Sequence, residues 1–347
     1  MNKSKIFRLA LAAASASIVS IGAASAQQTM TIHVPGANWG ESFDNCVIKP
    51  FAKANNVTYR LELGNSTTAF AKLQQQRANP VIDVAWMDGG ISELALAEGV
   101  IDTLDPEKVP NLKNLLPEAA TLKDGKHFSA SVGYYSLGIV YNTKSITEPP
   151  TSWNDLWDDK YADEVTIPAP ANAAGVPFIL FLDRIWHKQS DLDATFKKLK
   201  ALKTSRYFDT SGTASNSFQT GEATIGANFN VSAWDLADKG MPIAFTVPKE
   251  GFWANDGRVH IVKGTKNKEL AEKLLNTALT PEAATCLADK LYLGPSVAGA
   301  QVSAATAQKM PWGATGSIKS LVKIDWSEIN TQRAKLIEMW NREMARK

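Results

Sequence analysis

The sequence predicts an α/β fold: short apolar strands alternating with amphipathic helices, built into mixed, largely parallel sheets. Three observations carry this prediction. Strand-like and helix-period runs alternate along most of the chain. No Gly-rich or low-complexity tract divides it, although 347 residues exceed the length of one ordinary domain. The composition is 44% hydrophobic and 21% charged, which is enough apolar material for a core and too little net charge for a disordered chain.

The first 26 positions stand apart. Lys3, Lys5 and Arg8 form a basic start, residues 9–21 are small and apolar, and Ala24-Ser25-Ala26 is an A-x-A cleavage pattern before Gln27. This reads as a secretory signal peptide over 1–26. No cysteine sits at the cleavage point to take a lipid anchor. No later run reaches the ~20 apolar residues of a membrane helix. The expectation is a periplasmic protein with no direct membrane insertion. The chain carries a formal charge of +2, and the signal holds three of its positive charges. The remainder is therefore near neutral, with no basic footprint for nucleic acid.

Residues 29–34 read as a strand stopped by Pro35-Gly36. Ser42 or Asp44 starts a helix to Lys53 whose inner face holds Phe43, Val47, Ile48 and Phe51. Strands at 59–63 and 82–87 bracket a helix at 67–77. A helix at 91–98 ends on Gly99. A second series follows, with strands at 137–141, 165–167, 224–229, 243–247 and 258–262. Helices are expected at 177–187, 192–202, around Phe218, and at 268–277, 281–290 and 326–346. Between Tyr141 and Pro168, Pro149-Pro150 forces extended chain. Thr151 or Ser152 then caps a short helix carrying Trp153, Leu156 and Trp157.

A continuous α/β series makes two lobes only where the chain crosses between them. The crossings are expected near 134–141 and 245–262. The division is then 27–136 with 256–315 as one lobe, and 137–255 with 316–347 as the other. A cleft between two lobes suits hinge closure on a small ligand.

Catalytic signatures are missing: G-x-S-x-G, H-E-x-x-H, G-x-x-x-x-G-K-[ST] and G-x-G-x-x-G do not occur. His33, His127, His187 and His260 are scattered. Cys46 and Cys286 either form a disulfide, which export permits, or pack as two small buried thiols. In open α/β sheets, ligands lie beyond the carboxyl ends of strands. The loops there offer Trp39, Phe229 and Trp253 as π faces for a cation, and Glu41 and Asp88 as acids for an amine. The plainer roles are core packing for the tryptophans, a helix N-terminal charge for Glu41 and an Asx turn for Asp88.

These loops, in this order, resemble the spermidine/putrescine-type solute-binding proteins of ABC importers. The resemblance is strongest over 137–161, Gln219-Thr220-Gly221-Glu222, 229–233 and 247–253. It implies a two-lobed periplasmic binding fold with a hinge cleft, working without catalysis or cofactor. The partners it implies are a small solute and an ABC permease, with the binding subunit a monomer. Trp39 and Trp253 match aromatic positions that sandwich polyamine, Phe229 stands where Trp is usual, and Tyr134 lies at a matching crossing. Tyr134-Tyr135 bears only a superficial likeness to the paired phenolates of ferric-ion binders.

Two expected acids are missing: residues 168–175 contain no carboxylate, and Asn255 replaces one. Unpaired desolvated ammonium groups are costly. The departure therefore points away from polyamines to an amino-acid-like zwitterion, such as a γ-amino acid or aminophosphonate. Arg206 together with Ser211-Gly212-Thr213 is the candidate for its anionic end.

Overall fold

The structure is a computed structural model that describes residues 28–311 and 325–344. The signal-peptide segment lies outside the described residues, as do 312–324 and 345–347. The strands are β1 (Thr29–Val34), β2 (Thr58–Leu63), β3 (Val84–Asp88), then the small hairpin β4 (Leu122–Lys123) and β5 (Lys126–His127), and β6 (Ala130–Asn142), β7 (Val165–Pro168), β8 (Thr204–Phe208), β9 (Ile225–Phe229) and β10 (Ile243–Thr246). With β11 (Trp253–Ile261), all but the hairpin form one mixed sheet ordered β2-β1-β3-β11-β6-β9-β7-β8, with β10 on β6.

Two strands tie its halves together. The first part of β6 pairs with β11, whereas Leu137–Tyr141 pair with β9 and Ile139–Asn142 with β10. The later part of β11, from Gly257, pairs with β3. Both strands thus run from the β1–β3 half of the sheet toward the β7–β9 half. They are also longer than the sequence suggested. Nearly every residue of β6 is buried, small and polar ones included, so no alternation marks its start.

The helices include α1 (Asn38–Phe43), α2 (Lys49–Asn55), α3 (Ser66–Gln75), α4 (Ile91–Ala97), α5 (Gly175–Trp186), α6 (Leu192–Ala201), α7 (Ser211–Thr220) and α8 (Asn230–Asp238). A π-helical stretch, Asp44–Ile48, joins α1 to α2, so the helix expected to start at Ser42 or Asp44 begins earlier, at Asn38. Later come α9 (Lys268–Ala278), α10 (Pro281–Leu291), α11 (Ala304–Gln308) and α12 (Trp326–Glu343). The starts follow capping chemistry. The Thr280 hydroxyl accepts from the Ala283 N–H, with Pro281 in the first turn, and the Asp325 carboxylate accepts from the Ser327 and Glu328 N–H groups.

The Trp153–Trp157 segment is one 3₁₀ turn capped by Ser152, and its tryptophans are scaffold. Trp153 is fully buried against Phe178 (5.3 Å between rings), and Trp157 meets Trp186 edge-on at 5.0 Å. Cys46 and Cys286 form a disulfide that joins the π-helical stretch to α10 across 240 positions.

α12 packs on α5 and α6, where Trp340 meets Tyr207 at 4.9 Å, but its first turns reach the other half of the sheet. There the Asn330 amide donates to the Gly90 carbonyl (2.8 Å).

Candidate functional site

A cavity of about 240 Å³ opens between the two halves of the sheet. The β1–β3 half contributes Pro35-Gly36-Ala37, Trp39, Leu63 to Ser66, Asp88 and, from β6, Tyr135. The other half contributes Asn172, Ala173, Thr210-Ser211-Gly212 and Phe229. These positions follow strand ends or open helices, as expected for ligand groups on an open α/β sheet.

Three rings form an edge-on cluster. Trp39 meets Tyr135 at 5.0 Å and Phe229 at 6.2 Å, and Tyr135 meets Phe229 at 5.2 Å. Each such pair adds about 0.5–1.5 kcal/mol beyond its burial. The cluster is therefore a preformed wall. The Trp39 indole N–H is buried without a partner.

Asp88 ends β3 and is the one carboxylate in the described wall. Its carboxylate accepts from the Ser66 hydroxyl (2.6 Å) and the Trp86 indole N–H (3.1 Å), and the Tyr135 hydroxyl also interacts with it. Burial pushes its pKa above the ordinary carboxylate range. Nearby Asp256 adds to that rise, while the Ser66, Trp86 and Tyr135 hydrogen bonds oppose it. Such a group gains most when a cation enters beside it.

Asp256 is neutralised separately. Arg258 grips it with two bonds of 2.8 Å and reaches Glu93 at 2.6 Å, and Glu93 in turn accepts from the Gly90 N–H. Burial alone would depress the Arg258 pKa, but Asp256 and Glu93 hold it above its usual value. This network braces the Gly89-Gly90 loop behind Asp88.

The opposite wall carries no charge. Thr210 there caps α7, its hydroxyl accepting from the Thr213 N–H at 3.1 Å, whereas on the Asp88 side Asn65 caps α3, accepting from the Thr68 N–H at 2.8 Å. The first amides of a helix have no intrahelical partner, and the helix dipole favours negative charge there. Ser211 and Gly212 at the start of α7, and Ser66 at the start of α3, line the cavity.

Of the residues named from sequence, Trp39, Asp88 and Phe229 meet in this wall, with Ser211 and Gly212 across from them, and Glu41, Tyr134, Arg206, Trp253 and Asn255 lie elsewhere. Glu41 is exposed on α1. Tyr134 points away, donating to the Glu118 carbonyl (3.1 Å). Alternation along β6 brings its neighbour Tyr135 to the cavity instead. Trp253 starts β11 in register with Leu137 and Phe229, but Trp326 of α12 packs edge-on against it at 6.4 Å, outside the cavity wall. Asn255 is buried and donates to the Gly89 carbonyl (3.2 Å).

Arg206 lies on edge strand β8, exposed, with its guanidinium paired to Glu222 at 3.0 Å. It is absent from the cavity wall. Replacing Arg206 with Ala should change ligand affinity by less than about twofold, because an exposed ion pair is worth little. Titration calorimetry of the variant checks this.

Sequence reasoning did not assign Tyr135, Asn65, Ser66, Ala173 or Thr210 to the site. Asn65 and Thr210 are residue types suited to N-caps, but nothing local shows that the two helices face each other.

A cleft with an aromatic wall and one half-buried acid suits the capture of a small molecule. A family model described as "bacterial extracellular solute-binding protein" matches residues 79–326, and the chain belongs to that family. It is 27% identical over 300 residues to the spermidine/putrescine-binding periplasmic protein of Salmonella typhimurium, covering 83% of this chain and 84% of that one. It is 25% identical over 277 residues to the putative 2-aminoethylphosphonate-binding periplasmic protein of Salmonella typhi, covering 75% and 76%.

The periplasmic binding protein AfuA from Actinobacillus pleuropneumoniae, solved with fructose-6-phosphate, superposes with a TM-score of 0.75 at 22% identity, over 92% of this chain and 99% of that one. The fold is thus the two-lobed one, and the protein is a periplasmic solute-binding protein of ABC importers. Among the described residues, no helix is long and apolar enough to cross a membrane.

Proposed function

We propose that the cleft captures an amino-acid-like zwitterion, a γ-amino acid or an aminophosphonate, and hands it to a membrane permease without chemical change. The carrying observation is the polarity of the cavity. One half-buried carboxylate, Asp88, stands among the aromatic rings, while the facing wall has the N-terminus of α7 and no acid. An ammonium gains from Asp88 and the ring faces. An anionic end gains from the amides of Ser211 and Gly212.

A diamine fits this polarity poorly. Its second ammonium would meet the positive end of α7 and no carboxylate. Among the described residues, no three His, Cys, Asp or Glu side chains are grouped to hold a metal ion. The naming of one relative for an aminophosphonate agrees with the zwitterion.

The lobe division we adopt is 27–136 with 256–315, and 137–255 with 316–347. Strand pairing supports it, since β9 joins β6 from Leu137 and β3 joins β11 from Gly257. Two segments bridge the division. Lys309 pairs with Asp238 of α8 (2.9 Å), and α12 touches both halves. We also assign the monomer as the working unit, since the described cavity wall is built within one chain.

Calorimetry with γ-aminobutyrate, 2-aminoethylphosphonate, putrescine and spermidine tests the assignment. Binding of at least one zwitterion at micromolar or tighter affinity is the expected outcome. Tight spermidine binding with no heat from either zwitterion rejects it, and turnover of any bound compound rejects the non-catalytic role.

A further inference from the structure

We propose that Asn65 and Thr67 are the positioning residues that hold the two lobes shut over the ligand. The Asn65 amide donates across the cleft to the Asp209 carbonyl (3.2 Å) and the Ala171 carbonyl (3.4 Å). The Thr67 hydroxyl lies 2.7 Å from the same Ala171 oxygen. Both donors sit at the start of α3 in one lobe. Both acceptors belong to the other lobe and directly precede cavity-lining residues, Asn172 and Thr210.

The geometry divides labour within one residue. Asn65 uses its carbonyl oxygen to cap α3 and its amide nitrogen to bridge. The acceptors are backbone carbonyls, so the bridge depends on where the second lobe's loops are and not on their side chains. Thr67 is outside the cavity wall, and its hydroxyl also lies 2.7 Å from the Asn65 side-chain oxygen, so it acts on the bridge directly and by orienting Asn65. This assignment rests on the cavity being the binding site. It does not rest on which solute fills it.

Two variants separate closure from helix stability. Thr67→Val keeps the shape and removes the hydroxyl. Asn65→Asp keeps an N-cap of equal quality but turns a carboxylate toward two carbonyl oxygens. For whichever of γ-aminobutyrate and 2-aminoethylphosphonate binds, Thr67→Val should weaken affinity about 2- to 12-fold, the equivalent of one net hydrogen bond. Asn65→Asp should weaken it more. The loss should fall on the dissociation rate, measured by stopped-flow tryptophan fluorescence, with the melting temperature of the free protein unchanged.

The second measurement needs no ligand. By small-angle scattering, the free double variant should have a larger radius of gyration than the free parent. If neither zwitterion binds, the ligand assignment falls and the scattering arm alone decides on the bridge. Equal radii of parent and variant, or unchanged dissociation in Thr67→Val where a probe binds, overturns the proposal.

Discussion

Asp88→Asn should lower affinity for an amine-bearing ligand by about 2–5 kcal/mol, the cost of removing one partner from a buried charge pair. That is roughly 30-fold to several-thousand-fold. The fold should survive, since the Asn carbonyl can still accept one of the two bonds now made by Ser66 and Trp86. Calorimetry with a melting control measures both effects. An unchanged affinity would mean that the amine is not held at this end of the cavity.

The same carboxyl gives two pH effects of opposite sign. Its folded pKa is raised, so without ligand it stabilises the fold at low pH, and that contribution is lost as pH rises through the folded pKa. An ammonium ligand needs the ionised form, so affinity should fall as pH drops through the same window, above the ordinary carboxylate range. Binding within that window should release protons, visible as heats that vary with buffer ionisation enthalpy.

Removing the disulfide, by Cys46→Ser with Cys286→Ser, should cost about 2–5 kcal/mol of stability, since a long closed loop restricts the unfolded chain strongly. The 240-residue separation puts this bridge among long-loop cases. Neither cysteine lines the cavity, so ligand affinity should hold while the denaturant midpoint falls. Equal midpoints for parent and variant would show that packing of α10 on α1 alone carries this region.

The fold was readable because its strands are short, apolar and punctuated. Gly99 has the positive φ of a helix terminator, and the strand expected at 165–167 is present as Val165–Pro168. What escaped notice was either fully buried or lacked a periodic signature. β8, with Arg206 on it, is a half-polar edge strand, and α8 reads locally as a loop because Asn230 and Ser232 interrupt its apolar pattern.

The site was legible as chemistry but not as geometry. Trp39, Asp88 and Phe229 were recognisable as side chains suited to a cation. The choice of Tyr135 over Tyr134 depends on one residue of strand phase. The exclusion of Trp253 depends on Trp326, 73 positions away in the chain, covering it.

The anchoring of the Gly89-Gly90 loop by α12 bears on biosynthesis. Gly90 has φ +92°, and side-chain atoms of Trp326 and Arg333 occupy the space beside it. A chain made and exported from its N-terminus presents Asp88 early, but Trp326, Asn330 and Arg333, which pack against the adjoining loop, arrive much later. The support behind Asp88 is therefore incomplete until nearly the whole polypeptide has emerged. A product truncated before Trp326 would retain every residue of the described cavity wall and still lack the support behind its acid.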